Sequence, residues 1–165
     1  MRQLVLFLIF VVSFLRADAL PEYTIKAAYL YNFALLTDWH DGKMSGDFNI
    51  CFYKEDFGSA SNALNNKVLH NQNVKISTVT TAEETKECQI VFIREGEEQR
   101  GEKLIQKLAG TSVLIVSESP KISDAHITML RDNRKIAFDI NLKPIKAADL
   151  SVSSRLLKLA RRVEQ

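Results

Sequence analysis

Three short and almost uninterrupted apolar segments constrain the fold of this chain more than any other feature. They are residues 48–53, 89–93 and 113–116, and helical or polar stretches separate them. Continuous apolar strands are typical of a sheet that is covered on both faces, because side chains on both sides of each strand are then buried. Strands that alternate with helices predict a largely parallel α/β sheet with right-handed crossovers.

The remaining segments complete one domain. Apolar side chains recur at helical spacing in three further stretches, which are residues 22–39, 97–108 and 152–163. Residues 127–130 and 136–140 predict two strands joined by a tight turn. Since no linker or repeat interrupts the pattern, we expect an α/β fold with a single domain. Its sheet should be mixed and mostly parallel, with about six strands covered by helices.

The first residues of the chain have the pattern of a secretory signal peptide. A basic second residue precedes a short apolar run, and Ala17 and Ala19 supply the small residues of a cleavage site. The apolar core of about 12 residues is shorter than the roughly 20 residues that a membrane anchor needs. We therefore predict a signal peptide over residues 1–19, cleavage before Leu20 and a domain over residues 20–165. The mature protein should be periplasmic, without direct insertion into the membrane.

The chain contains two cysteines, Cys51 and Cys88. In an oxidising compartment they can form only one intramolecular disulfide, whereas two separate buried thiols are the alternative. The spacing is far from the C-x-x-C motif of redox catalysts, so we interpret a bond between them as structural. If strands 48–53 and 89–93 are neighbours, the two Cα atoms can come within the 4.4–6.8 Å that a disulfide requires.

Charge balance and missing motifs argue against nucleic-acid binding and against catalysis. Twenty-two basic residues oppose 20 acidic ones, and a net charge of +2 is too low for a nucleic-acid-binding surface. The histidines His40, His70 and His126 belong to no metal-binding motif, so we interpret each as a surface or loop residue. Because no nucleophile–base arrangement is visible, we predict no catalytic, metal-binding or cofactor-binding residues.

The stretch 22–39 contains the candidate ligand-binding side chains of the sequence. Tyr29, Asn32 and Phe33 fall on one predicted helical face, and Trp39 follows near its end. Such side chains either belong to the core or line a ligand pocket, and aromatic residues at helical spacing are more often core. An amide on an apolar face needs partners, so we expect Asn32 to fix the helix against neighbouring backbone.

The predicted last helix is basic, with Arg155, Lys158, Arg161 and Arg162. Such a helix can contact an acidic partner or a membrane surface. Cations near a helix C-terminus also complement the helix dipole, and we favour this second interpretation.

Several stretches, in order, resemble the YfiR-like family of periplasmic regulators. They are residues 26–34 (KAAYLYNFA) before Trp39, 50–52 (ICF) before 56–58 (DFG), 88–93 (CQIVFI), 113–117 (VLIVS), 138–141 (FDIN) and 153–160 (SSRLLKLA). The resemblance covers about residues 22–163, nearly the whole predicted mature chain.

This resemblance implies a non-enzymatic repressor. Such a protein binds the periplasmic sensor region of an inner-membrane diguanylate cyclase and holds the cyclase inactive, so that its loss raises cyclic di-GMP and favours biofilm. It also implies a homodimer. A disulfide between Cys51 and Cys88 would make repression sensitive to redox conditions. The alternative function is a periplasmic small-molecule-binding module that feeds a histidine kinase or a transport system, with a pocket near Tyr29 or Trp39.

Overall fold

The structure, a computed structural model, describes residues 21–40, 45–133 and 135–165. The predicted signal peptide and its cleavage site between Ala19 and Leu20 lie outside these residues and stay a prediction. Among the helices in the described ranges, none combines the length and the apolar character that a membrane span requires.

Helices and strands alternate along the described chain. The helices are α1 (Glu22–Leu35), α2 (Ser59–Asn62), α3 (Glu98–Lys107), α4 (Leu142–Ala147) and α5 (Ser154–Leu159). The strands are β1 (Thr37–Trp39), β2 (Phe48–Tyr53), β3 (Val68–Leu69), β4 (Gln72–Val79), β5 (Ile90–Ile93), β6 (Leu114–Ser117), β7 (Ile127–Asp132), β8 (Lys135–Asn141), β9 (Leu150–Val152) and β10 (Arg162–Glu164).

Eight of these strands form one mixed sheet in the order β10-β8-β7-β6-β5-β2-β4-β3. Strands β4, β2, β5, β6 and β7 are parallel neighbours, and β7 and β8 form the predicted antiparallel hairpin. The α/β class is confirmed, whereas the expected number of about six strands is wrong. The two extra strands, β3 and β10, have two and three residues, which is too short for a recognisable apolar pattern.

The two faces of the sheet are covered by different helices. On β5, Ile90 and Phe92 pack in the same apolar cluster as the buried residues of α1. Val91 and Ile93, which point the other way, pack with α3. This arrangement explains why β5 is apolar at every position, as a strand covered on both faces must be.

The predicted disulfide joins Cys51 on β2 to Cys88, which lies two residues before the start of β5. The two strands are parallel neighbours, and the backbone N–H of Gln89 donates to the carbonyl oxygen of Asn49 at 3.0 Å. The two cysteine Cα atoms are 6.0 Å apart, and both side chains are buried. The bond therefore ties together two central strands beneath α3, which fits a structural role.

The chain after β9 differs from the prediction of one long helix over residues 152–163. Helix α5 has six residues, and the last strand, β10, pairs in parallel with β8. The guanidinium of Arg161 donates two hydrogen bonds to Asp139 of β8, at 2.9 and 2.6 Å. Its backbone N–H donates to the carbonyl oxygen of Phe138 at 2.8 Å. These contacts draw the tail onto the sheet edge and end the helix early.

A two-stranded antiparallel ribbon of β1 and β9 lies apart from the main sheet. Strand β1 follows α1 after one residue, and β9 precedes α5 by one residue. At this junction the backbone N–H of Ser153 donates to the carbonyl oxygen of Leu36 at 2.9 Å. The ribbon therefore connects the C-terminal end of α1 to the beginning of α5.

Candidate functional site

Helix α1 buries a face that overlaps only partly with the one that its apolar spacing predicted. The buried residues are Lys26, Ala27, Leu30, Phe33 and Ala34. Of the predicted face, Phe33 is buried and Tyr29 is half-buried, whereas Asn32 is exposed. The buried row also contains Lys26, a charged residue that an apolar pattern does not include.

Two carboxylates make the burial of Lys26 possible. Its Nζ atom lies 2.5 Å from Oε1 of Glu22, one turn earlier, and 2.5 Å from Oε2 of Glu118 at the end of β6. The Glu118 side chain is itself buried, and its Oε1 accepts the backbone N–H of Glu95 at 3.0 Å. A buried charge is tolerated when it is paired in this way.

The outward face of α1 carries no charge along most of its length. Lys26 is the only charged residue between positions 24 and 36, and it is buried. Tyr31 and Leu36 are half-buried, and Leu35 is exposed. Surface helices normally present polar and charged side chains opposite the core, so this face has the composition of an interaction surface.

A groove of about 250 Å³ lies between α1 and α5, and Phe138 of β8 contributes to its lining. Leu35 and Leu159 border it and are 47% and 62% exposed, respectively. A third exposed hydrophobic side chain, that of Val68, lies beside Tyr31, whose hydroxyl donates to the Val68 carbonyl oxygen at 3.1 Å. We call the groove together with Tyr31, Leu35, Val68 and Leu159 the α1–α5 surface.

The structure brings together three of the four residues proposed from the sequence as packing or pocket residues. Tyr29, Asn32 and Phe33 all line the groove. The Tyr29 hydroxyl donates to the carbonyl oxygen of Ile136 at 3.0 Å, and Phe33 is fully buried. Trp39 does not line the groove: it lies on β1, buried, with its ring edge-on to Phe48 at 5.2 Å between centroids.

Asn32 does not hold α1 against a neighbouring element, so that expectation is wrong. Its side chain is exposed, and Nδ2 donates to the carbonyl oxygen of Ala28 in the same helix at 2.9 Å. Because the helix is rotated relative to the predicted face, Asn32 belongs to the wall of the groove and needs no buried partner.

The sequence profile described as YfiR/HmsC-like matches residues 23–161. The chain belongs to the YfiR/HmsC-like family. The match confirms the resemblance found in the sequence, and it includes both cysteines of the disulfide and the whole α1–α5 surface. No individual curated protein matches the chain.

Two histidines of this YfiR/HmsC-like domain are exposed as expected, and the third is not. His40 and His70 are exposed, whereas His126 is a loop residue before β7 and is only 4% exposed, so of the two predicted placements, surface or loop, it has the second. Its Nδ1 accepts the backbone N–H of Ile115 at 3.1 Å. Burial lowers the pKa of His126 to about 4. No sequence pattern marks this residue, because its partner is a backbone group on β6.

The basic residues near the end of the YfiR/HmsC-like domain have divided roles. Arg155 and Lys158 are exposed on α5, and Arg155 borders the groove. Arg161 and Arg162 instead contact the Asp139 carboxylate, which is buried. The hydrogen bonds from Arg161 hold the pKa of Asp139 below its ordinary value, against the opposite effect of burial. The interpretation of these two arginines as charges at a helix terminus is therefore wrong.

Proposed function

We propose that this protein is a non-enzymatic periplasmic regulator. It binds the periplasmic sensor region of an inner-membrane diguanylate cyclase and represses the synthesis of cyclic di-GMP, which limits biofilm formation. Membership of the YfiR/HmsC-like family supports the regulatory role. The α1–α5 surface supports a function that depends on protein contact.

The observation that carries the proposal is the uncharged outward face of α1. Leu35 and Leu159 expose much of their surface on either side of a groove, with the aromatic ring of Tyr31 nearby. Large apolar and aromatic side chains at the centre of a patch are the usual source of binding free energy in protein interfaces. A partner that covers these side chains removes apolar surface from water, which favours association.

The rim of the surface indicates the charge of the partner. Arg155 and Lys158 lie exposed on α5, and Nζ of Lys67 lies 5.9 Å from the ring centroid of Tyr31. Cations around an apolar centre favour a partner with carboxylates at matching positions, since charge complementarity speeds association and suppresses wrong partners. We therefore propose that the bound region of the cyclase has an apolar centre and an acidic rim.

Repression requires that the protein distinguish two conformations of the cyclase. A ligand that binds both states equally shifts no equilibrium, however tightly it binds. Each tenfold shift toward the inactive state needs about 1.4 kcal/mol of preferential binding. The apolar contact surface for Leu35 and Leu159 should therefore be complete only in the inactive cyclase.

The test is the cyclic di-GMP level in the cell that produces the protein. Deletion of its gene should raise the level, and the wild-type gene should restore it. Leu35→Asp and Leu159→Asp should not restore it, because each places a carboxylate in the apolar centre. The matched control is Gln99→Asp on α3, an exposed position at the other face of the sheet. Equal repression by Leu35→Asp and the wild type, at equal periplasmic amounts, would contradict the proposal.

Self-association is a separate proposal, supported by the resemblance alone. We propose that the protein forms a homodimer, whose mass light scattering would measure directly. If Leu35→Asp converts a dimer into a monomer and leaves repression intact, the α1–α5 surface binds a second copy and the cyclase binds elsewhere.

A further inference from the structure

A second cavity, of about 330 Å³, lies between the C-terminal end of α3, strand β6 and helix α4. We call it the His126 cavity. Its walls are mainly apolar, with Ile105, Leu108, Ile115 and Ala148 among the lining residues. It shares no lining residue with the groove between α1 and α5.

The imidazole of His126 is the one buried polar side chain among the residues that line this cavity. Two hydrogen bonds with Ile115 fix the orientation of the ring. Nδ1 of His126 accepts the backbone N–H of Ile115, and the backbone N–H of His126 donates to the carbonyl oxygen of Ile115 at 3.0 Å. A neutral imidazole that accepts at Nδ1 carries its hydrogen on Nε2. In the described part of the chain, no hydrogen bond from this Nε2–H is found, and Nε2 is not among the fully buried side-chain atoms that lack a partner, so it keeps some exposure where His126 lines the cavity.

A ligand that brings an acceptor to this N–H gains a hydrogen bond inside an apolar cavity, where such a bond is electrostatically stronger than in water. Small-molecule sites characteristically combine apolar walls with a few fixed polar groups. We propose that the His126 cavity binds a small, uncharged and mainly apolar molecule whose acceptor atom receives a hydrogen bond from Nε2–H of His126. A heteroaromatic nitrogen or a carbonyl oxygen on a ring compound fits this description.

The rim of the cavity narrows the ligand class further. Among the described residues that line the cavity, Asp124 is the one that carries a charge, and it is exposed. A carboxylate at the entrance disfavours an anionic ligand. Sites of this volume enclose most of a molecule of about ten non-hydrogen atoms. This inference does not depend on the proposed binding of a cyclase, which we assign to the α1–α5 surface, so either proposal can fail without the other.

Quinoline and indole are suitable probes because they are similar in size and apolar character. Quinoline presents a ring nitrogen that accepts a hydrogen bond, whereas indole presents an N–H that donates one. Affinities would be measured by titration of backbone amide NMR signals on the purified protein. We expect quinoline to bind at least fivefold more tightly than indole, with the largest shifts at Gly110, Ile115 and Ala148.

Two variants make the outcome decisive. Ala147→Trp fills the entrance from an exposed position on α4 and should weaken quinoline binding at least tenfold. Its matched control, Lys146→Trp, lies next to it outside the lining and should leave the affinity unchanged. His126→Phe should abolish the preference for quinoline over indole. If His126→Phe does not fold, the comparison of quinoline affinity in Ala147→Trp and Lys146→Trp tests the proposal. Absence of quinoline binding at millimolar concentration, equal affinity for both probes, or shifts that map to the groove between α1 and α5 would each overturn the proposal.

Discussion

The Nζ atom of Lys26 lies 2.5 Å from Oε2 of Glu118, so one ion pair joins the first helix to the end of β6 across 92 positions of sequence. Both side chains are largely buried, with relative exposures of 9% and 8%. This pair places Lys26 on the same buried side of α1 as Leu30 and Phe33, which are fully buried. The charged side chain is thereby kept away from the α1–α5 surface.

Removal of either partner should destabilise the protein, because the other, largely buried charge keeps only part of its pairing: Lys26 keeps Glu22, and Glu118 keeps Arg94 at 3.8 Å. We expect Lys26→Met and Glu118→Gln each to lower the free energy of unfolding by about 2 kcal/mol. The double variant should lose less than the sum, since both single variants remove the same ion pair. Urea denaturation of the four proteins measures this coupling. Additive losses would show that the two residues act independently.

Loss of the disulfide should lower stability by about 4 kcal/mol, the chain-entropy value for a loop of 37 residues. The variant with both Cys51→Ala and Cys88→Ala should resemble the reduced wild type in urea denaturation. We also expect it to restore less repression of the cyclase in cells, since less of it is folded. An unchanged unfolding midpoint and unchanged cyclic di-GMP would remove the proposed link between redox conditions and repression.

The buried His126 should make the protein less stable in mild acid. Its folded pKa of about 4 lies below the ordinary value of 6.5, so the unfolded chain binds a proton first as the pH falls. The free energy of unfolding is therefore highest above pH 6.5 and falls as the pH approaches 4. We expect it to decrease by about 2 kcal/mol between pH 7 and pH 5.

Urea denaturation at pH 7, 6 and 5 tests this dependence, with His126→Gln as the comparison. The variant should be less stable at pH 7 but should lose much less stability on acidification. Asp124, the charged residue that lines the same cavity, stays in place in both proteins. If the free energy of unfolding falls equally with pH in both proteins, groups other than His126 cause the acid sensitivity.

The contact of Asp139 with Arg161 should hold the C-terminal strand on the sheet. We expect Asp139→Asn to lower the free energy of unfolding by about 2 kcal/mol, the usual value for hydrogen bonds to a charged group. Amide hydrogen exchange in residues 162–164 should become faster. Because the folded pKa of Asp139 is lowered, its contribution is present at neutral pH and is lost as the pH falls through that value. Glu102→Gln, an exposed change on α3, is the control.

The sequence was sufficient for those features that depend on continuous local patterns. The apolar runs predicted β2, β5 and β6, and their adjacency made the bond between Cys51 and Cys88 geometrically reasonable. The helical spacing of residues 22–39 correctly indicated α1, which is four residues shorter. These features follow from side-chain periodicity, which is local information.

Other features depend on partners that are distant in the sequence. The burial of Lys26 follows from Glu118, the burial of His126 from the backbone of Ile115, and the end of α5 from Asp139. In each case a polar residue is buried because one specific group satisfies it. No periodicity reveals such a pair, so the outward face of α1 could not be assigned before the structure.

The ribbon of β1 and β9 joins the two helices that form the groove. Helix α1 enters this ribbon from one side and α5 leaves it from the other, and the Ser153–Leu36 hydrogen bond closes the junction. The two helices that carry Leu35 and Leu159 are thus joined through one hydrogen-bonded ribbon. We expect a docking protein to meet a preorganised cleft, so that little of its affinity is lost to ordering the regulator.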